Sequence, residues 1–134
     1  MIEQIHRFQG RGSLRFVYQR GQTVRGQYSS LKYVVNRRRS TWRLAVVVSR
    51  KVSKSAVVRN RIRRRIYEVV RQLPLPVAPA YDLVLTAYSD QLAVISAPEM
   101  DQLISNQLQK AGVLSADVQA SLTTRGIVDS EERE

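Results

Sequence analysis

The densest group of chemically active side chains lies between Arg59 and Arg65, where five of seven residues are arginine. The planar guanidinium of arginine forms two parallel hydrogen bonds with a phosphate, so such a group suits binding to a polyanion. Arginines three or four residues apart on a helix repel one another, and an external partner would offset this cost. A solvated charge run without function is the alternative, but Glu68 is the one acid nearby.

Residue types that catalyse reactions by themselves are scarce in this sequence. There is no cysteine and a single histidine, His6, which leaves little opportunity for a zinc site or for histidine acid–base chemistry. A nuclease that holds its own metal ions needs paired carboxylates. The first 73 residues contain two acids, Glu3 and Glu68, far apart in sequence. The residue types therefore favour binding over catalysis.

Charge is distributed very unevenly along the 134 residues. Residues 1–73 contain 19 Lys or Arg and two Asp or Glu, whereas residues 74–134 contain three and nine. A net charge of +11 with this asymmetry predicts a polyanionic partner, either a nucleic acid or an anionic membrane surface. Membrane-surface helices carry bulky aromatics on their apolar side, whereas the arginine-rich segment carries Val and Ile. Nucleic acid is the favoured partner.

One helix is predicted to position these arginines. Ser55 is its predicted N-cap, and the Leu73-Pro74 step ends it. The arginines surround the helix outside its apolar side, an arrangement that suits a large curved polyanion better than one small phosphate ligand. Apolar residues recur every three or four positions and share that side: Val58, Ile62, Ile66, Val69 and Leu73.

The other elements predict an α/β domain with helices packed on a small sheet. The continuous apolar run over residues 42–49 is typical of a central strand buried on both faces, and it is close enough to the strand before it to form an antiparallel hairpin. Ser13 is the predicted N-cap of the first helix. The predicted elements besides the arginine helix are a helix over residues 9–21, strands over 28–36, 42–49 and 81–88, and a helix between Ser96 and Gly112.

Residues 1–114 are predicted to form one domain, and residues 115–134, which end in DSEERE, a flexible acidic tail. The longest apolar runs are too short to span a bilayer. The first ten residues lack the apolar segment of a signal peptide. We therefore expect a soluble, cytoplasmic protein.

The segment from Val48 to Arg71, VSRKVSKSAVVRNRIRRRIYEVVR, resembles the signature region of the bacterial ribonuclease P protein subunit family. Arg59-Asn60-Arg61 match the family's Arg-Asn-Arg core. Arg63-Arg64 match the basic pair that follows the core, and Arg50-Lys51 match the pair before the helix. The resemblance extends over residues 5–114, where the flanking segments are less specific.

This resemblance implies an α/β sandwich with a left-handed βαβ crossover. It implies a subunit of an endoribonuclease, ribonuclease P, which removes the 5′ leader of precursor tRNA, with catalysis and its Mg²⁺ on the RNA subunit. The implied partners are ribonuclease P RNA and precursor tRNA, with no membrane and no small-molecule cofactor. The side chains expected to bind the RNA are Arg50, Lys51, Lys54, Arg59, Asn60, Arg61, Arg63, Arg64 and Arg65.

The resemblance also implies a cleft for the single-stranded 5′ leader. Tyr18 matches an aromatic residue of this cleft, and Leu14 stands where the family usually has phenylalanine. The strand position that is often tyrosine is Lys32 or, with a shift of one residue, Tyr33. A base stacked on an aromatic ring there contributes about 1–3 kcal/mol to the free energy of binding. Ordinary core packing is the alternative role for Tyr18.

Two other functions stay open at this point. A general structured-RNA-binding or ribosome-associated module of similar fold would bind RNA without increasing the cleavage of precursor tRNA. A peripheral protein of anionic membranes would bind liposomes instead. Each of these is separated from the ribonuclease P hypothesis by a direct assay.

Overall fold

The computed structural model describes residues 11–76 and 79–114. His6 and the predicted acidic tail, residues 115–134, lie outside the described residues. A short 3-10 helix, Asp90–Ala93, precedes the last helix. The main elements are the helices α1 (Arg11–Arg20), α2 (Ala56–Arg71) and α3 (Ala97–Lys110) and the strands β1 (Gln22–Arg25), β2 (Ser29–Val35), β3 (Arg43–Val48) and β4 (Tyr81–Ala87).

The four strands form one mixed sheet in the order β1-β2-β4-β3. The prediction that β2 and β3 pair as an antiparallel hairpin was wrong, because β4 lies between them. Leu83 of β4 pairs with Tyr33 of β2 on one side, antiparallel, and with Leu44 of β3 on the other, parallel. The chain from β3 through α2 to β4 therefore joins neighbouring parallel strands, as a βαβ unit does. The left hand of this crossover stays a prediction.

The prediction that β3 is a central strand buried on both faces was also wrong. It lies at the edge of the sheet, where buried Leu44, Val46 and Val48 alternate with half-buried neighbours. The strand buried on both faces is β4, from Asp82 to Leu85. β-Branched residues suit any pleated surface, so the apolar run in β3 did not reveal which strand is central.

The main hydrophobic core lies between the sheet and the helices α2 and α3. Ser55 caps α2 as predicted, since its side chain accepts a hydrogen bond from the N–H of Val58. The predicted apolar side of α2 faces this core, and the residues that meet there include Ile62, Ile66, Val69 and Leu73 of the α2 segment, Leu31, Leu44, Leu83 and Leu85 of the sheet, and Met100, Ile104 and Leu108 of α3.

The opposite face of the sheet is covered in part by α1, which packs on β2 and β4 and buries Val17 completely. The helix begins at Arg11, so Ser13 lies inside it and is not its N-cap. An added Cβ at Gly21 would lie 2.5 Å from the carbonyl oxygen of Val17, so the turn into β1 requires glycine. β1 was not predicted from the sequence, because its four residues are too few to show the alternation of a strand.

The last helix, α3, begins and ends as predicted. The side chain of Ser96 accepts a hydrogen bond from the N–H of Glu99. Gly112 has a φ of 78°, a conformation that favours glycine and ends helices. None of the helices in the described ranges is long and apolar enough to cross a membrane.

Candidate nucleic-acid interface

Three of the predicted RNA-binding arginines bind the protein's own backbone. The half-buried side chains of Arg59, Arg63 and Arg65 donate hydrogen bonds to main-chain carbonyl oxygens on the segments that flank α2. Their acceptors are Ser53, at 2.9 Å from Arg59 Nη1, Val48, at 3.3 Å from Arg63 Nη2, and Leu92, at 2.8 Å from Arg65 Nη1. These arginines therefore hold α2 against the end of β3, the loop between β3 and α2, and the 3-10 helix after β4.

Two other arginines are unrestrained. Arg61 and Arg64 are exposed, and neither makes a hydrogen bond or an ion pair with another residue in the described ranges. Asn60 is exposed between them, and its Oδ1 accepts a hydrogen bond from Arg63 Nη1 at 2.8 Å. Within residues 11–76 and 79–114, no acceptor therefore occupies the N–H donors of the Arg61 and Arg64 guanidinium groups.

The nearby acid does not neutralise this group of cations. Glu68 accepts hydrogen bonds from Arg71 and, at 3.0 Å, from Gln72. These bonds, that of Arg71 first, hold the pKa of the Glu68 carboxyl below its usual value, and Glu68 in turn raises the pKa of Arg71. No acid lies in the first turn of α2. No ion pair among the described residues therefore neutralises the positive charge at the start of α2, and the helix dipole adds to that charge.

The loop before α2 adds three exposed cations, Arg50, Lys51 and Lys54. This loop is ordered by local contacts, since the N–H of Val52 donates to the carbonyl oxygen of Ser49 at 3.1 Å. Its cations lead directly into those of α2. We call the five exposed cations of this region the arginine surface: Arg50, Lys51, Lys54, Arg61 and Arg64.

A second surface lies where α1 meets the opposite face of the sheet. The Nζ of Lys32 on β2 is 5.7 Å from the centroid of the Tyr18 ring, a cation–π arrangement. Tyr18 is 47% exposed, so it is not an ordinary core residue. Leu14 is half-buried one turn earlier on the same side of α1. We call Leu14, Tyr18 and Lys32 the α1 cleft.

The structure corrects the alternative that Tyr33 faces this cleft. Neighbouring residues of a strand point to opposite faces of the sheet. Tyr33 packs against the main core, and its hydroxyl donates to Gln22 Oε1 at 2.9 Å. By the same alternation, Arg25 of β1 is on the cleft side, because Arg25 pairs with Ser30 and Thr23 pairs with Lys32. Arg25 was not among the predicted site residues, because its strand, β1, is too short to be predicted from the sequence.

A buried ion pair joins β3 to β4. Arg43 donates from Nε to Asp82 Oδ1 at 3.0 Å and from Nη2 to Oδ2 at 2.8 Å, and Asn36 Nδ2 donates to Oδ2 at 2.8 Å. Asp82 is fully buried, so the role of its carboxylate is to stabilise the fold. No three acidic or histidine side chains come together in the described part of the chain.

Comparison with known proteins decides the family. The sequence model of the family described as Ribonuclease P matches residues 2–112. The chain belongs to the ribonuclease P protein family. It is 45% identical over 83 residues to the ribonuclease P protein component of Roseiflexus castenholzii, which covers 62% of this chain and 66% of that protein. It is also 35% identical over 117 residues to the ribonuclease P protein component of a Pseudanabaena species, and the match covers 85% of this chain and 97% of that protein.

Solved structures of ribonuclease P proteins share the fold. The Staphylococcus aureus protein superimposes with a TM-score of 0.70 at 22% identity, covering 82% of this chain and 98% of that one. The Thermotoga maritima protein superimposes with a TM-score of 0.62 at 20% identity, covering 72% of this chain and 89% of that one. The predicted α/β sandwich is thereby confirmed, and its sheet is mixed.

Ribonuclease P proteins are the protein subunit of ribonuclease P in tRNA 5′ processing. The holoenzyme is an endoribonuclease, and its RNA subunit performs the catalysis. The chain spans 66% of the length of the Roseiflexus castenholzii protein and 65% of that of a second Roseiflexus protein, just under two thirds in each case.

Proposed function

We propose that this chain docks on the ribonuclease P RNA through the arginine surface and holds the 5′ leader of precursor tRNA in the α1 cleft. The observation that carries the proposal is the pair Arg61 and Arg64, two exposed guanidinium groups with no partner in the described residues. They lie on a helix whose local acid, Glu68, is bound to Arg71. An RNA backbone supplies the missing negative charge.

Docking on the RNA subunit is an electrostatic step. The guanidinium forks of Arg61 and Arg64 match the geometry of phosphate oxygens, whereas Lys51 acts as a more mobile point charge. Arg59, Arg63 and Arg65 hold α2 in place through the backbone carbonyls that they bind. The free cations are therefore presented on a rigid support. Each phosphate contact releases counterions, so affinity for the RNA subunit falls as salt rises.

Leader binding uses the other face of the sheet. The exposed ring of Tyr18 offers a stacking platform, and Lys32 beside it offers a cation for the backbone. Stacking of this kind accepts any base, which suits leaders of different sequence. Because α1 and α2 lie on opposite faces of the sheet, the chain can hold two RNA segments at once. This placement brings the substrate to the RNA subunit at a high effective concentration.

We place the Mg²⁺ ions of the reaction on the RNA subunit. When bound there, Mg²⁺ supplies metal-assisted phosphodiester hydrolysis. The cations of this chain reduce the repulsion between the RNA subunit and precursor tRNA, so the protein lowers the Mg²⁺ concentration that the reaction needs. The proposal includes neither a small-molecule cofactor nor a membrane partner, and it places the protein in the cytoplasm.

Reconstitution tests this function. The protein is added to the ribonuclease P RNA of its organism at a low Mg²⁺ concentration, and removal of the 5′ leader from precursor tRNA is measured. We expect the protein to restore cleavage that the RNA alone does not perform under these conditions. Binding of structured RNA without increased cleavage would favour a general RNA-binding module. Specific 5′ cleavage by the protein alone would contradict catalysis by RNA.

A further inference from the structure

Two further exposed arginines lie outside both surfaces used by the proposed function, in the turn between β2 and β3. The chain there reads Arg37-Arg38-Arg39, and the side chains of Arg37 and Arg38 are exposed. Neither of these two side chains makes a hydrogen bond or an ion pair with another residue in the described ranges. We call residues 36–39 the β2–β3 turn.

Hydrogen bonds order the β2–β3 turn before any ligand arrives. The N–H of Arg39 donates to the carbonyl oxygen of Asn36 at 3.2 Å, and the N–H of Arg38 donates to Asn36 Oδ1 at 3.1 Å, as is typical of a β-turn that begins with asparagine. Asn36 Nδ2 donates to Asp82 Oδ2 at 2.8 Å. The turn is thereby fixed to the buried ion pair of Asp82 and Arg43, whose charges balance each other. A preformed turn of this kind avoids part of the entropic cost of binding.

The β2–β3 turn continues the row of β2 residues that faces the α1 cleft. Alternate residues of a strand share one face of the sheet, so Lys32 and Val34 lie on the same face. Asn36 continues this row, since its N–H donates to the carbonyl oxygen of Ala80 at 2.8 Å and extends the pairing of β2 with β4. Its side chain reaches Asp82, which pairs with Val34 on that face. A strand of RNA that leaves Lys32 along this row therefore arrives at the turn.

The β2–β3 turn and the arginine surface lie at opposite ends of the sheet. Val35 at the end of β2 pairs with Tyr81 at the start of β4. Val48 at the end of β3 pairs with Ala87 at the end of β4, and the loop with the first cations of the arginine surface follows Val48. On the proposed function, the RNA subunit and the cleavage site lie at that end. Leader nucleotides farther from the cleavage site are therefore directed toward the turn, which favours the leader over a further segment of the RNA subunit as its partner.

We propose that Arg37 and Arg38 bind phosphates of the 5′ leader beyond the nucleotides held in the α1 cleft. The inference rests on the proposed function, since the leader reaches the turn from that cleft. Guanidinium groups bind phosphate oxygens through paired hydrogen bonds, and contacts to the backbone require no particular base. Lys32 and Asn36 are about 13 Å apart in an extended strand, which about four nucleotides of a stacked strand span at roughly 3.4 Å each. The site therefore selects precursors by the length of their leaders.

A series of precursor tRNAs whose leaders increase by one nucleotide at a time tests the site. The affinity of each for the holoenzyme, reconstituted with the full chain, is measured for the wild type, for Tyr18→Ala and for the double variant Arg37→Ala/Arg38→Ala. We expect Tyr18→Ala to weaken binding from the length at which the leader reaches the α1 cleft. The double variant should bind those leaders like the wild type, and should bind leaders longer by about four nucleotides or more about tenfold less tightly.

The matched variant removes two exposed arginines from the other end of the sheet. Arg61→Ala/Arg64→Ala should weaken affinity for the RNA subunit alone, without precursor tRNA. Arg37→Ala/Arg38→Ala should leave that affinity unchanged, which also shows that this variant is folded.

The outcomes separate this site from the proposed function. If Arg37→Ala/Arg38→Ala binds long leaders like the wild type, weakens all lengths equally or weakens binding of the RNA subunit itself, the leader site at the turn is wrong. The α1 cleft then stands as long as Tyr18→Ala keeps its effect. If Tyr18→Ala has no effect at any length, the leader does not occupy the α1 cleft, and this part of the proposed function and the site at the turn are both wrong.

Discussion

The guanidinium of Arg65 donates a hydrogen bond across 2.8 Å to the carbonyl oxygen of Leu92, which lies 27 residues away in the chain. A second hydrogen bond joins Arg65 to the carbonyl oxygen of Ile95. The neighbouring Arg64 is exposed and has no such partner in the described residues. Two adjacent arginines on one helix therefore have different roles, one in holding the fold and one at its surface.

Replacing Arg65 should destabilise the protein. Arg65→Ala leaves two carbonyl oxygens without their charged donor, and we expect a loss of about 1–3 kcal/mol in the free energy of unfolding, measured by urea denaturation. The matched variant Arg64→Ala should stay within about 0.5 kcal/mol of the wild type, as surface changes usually do. Equal stabilities for the two variants would show that the contacts of Arg65 do not support the fold.

Replacing the unrestrained arginines should act on RNA binding. We expect Arg61→Ala and Arg64→Ala each to weaken affinity for the RNA subunit by about tenfold, since a hydrogen bond to a charged group contributes roughly 1.5 kcal/mol or more. Each should also reduce the slope of log affinity against log salt by about one. Filter binding over a range of salt concentrations measures both quantities.

The control for these two variants removes one positive charge from a different part of the surface. Lys110→Ala changes an exposed cation at the end of α3, outside the arginine surface. It should leave the affinity and the salt slope nearly unchanged. If all three variants behave alike, binding depends on net charge rather than on a defined surface.

Breaking the buried ion pair should be costly. Asp82→Asn removes the charge that balances Arg43 at a fully buried position, and we expect a loss of about 3–5 kcal/mol in the free energy of unfolding. Glu68→Gln makes the corresponding change in an exposed ion pair with Arg71, where little change is expected. Thermal and urea denaturation of the two variants, side by side, compare a buried with an exposed pair. A small effect of Asp82→Asn would mean that the pair is hydrated in solution.

The α1 cleft should matter for leader binding alone. Tyr18→Ala removes the stacking platform, and we expect it to weaken holoenzyme binding to precursor tRNA by about 1–3 kcal/mol for each stacked base. Binding to mature tRNA, which lacks the leader, should not change. Tyr33→Phe is the control, because Tyr33 lies on the opposite face and loses only its hydrogen bond to Gln22. An equal loss of affinity for both tRNAs would place Tyr18 outside the leader path.

The local sequence was sufficient to predict the helix α2, its N-cap Ser55, its buried side and the many arginines on its other sides. It did so because helical periodicity and capping depend on residues within a few positions of one another. The Arg59-Asn60-Arg61 segment pointed to the family for the same reason, as a short and local pattern.

Other features could be learned only from the three-dimensional structure: the strand order, the edge position of β3, the pairing of Arg43 with Asp82 and the different contacts of Arg64 and Arg65. These features depend on contacts between residues far apart in the chain, which no local pattern records. An apolar run indicates that a segment forms a buried strand. Its position in the sheet and the burial of its two faces depend on the elements that pack around it. An arginine is charged wherever it lies on a helix, and a carbonyl oxygen brought close by the fold decides whether that charge is free to bind RNA.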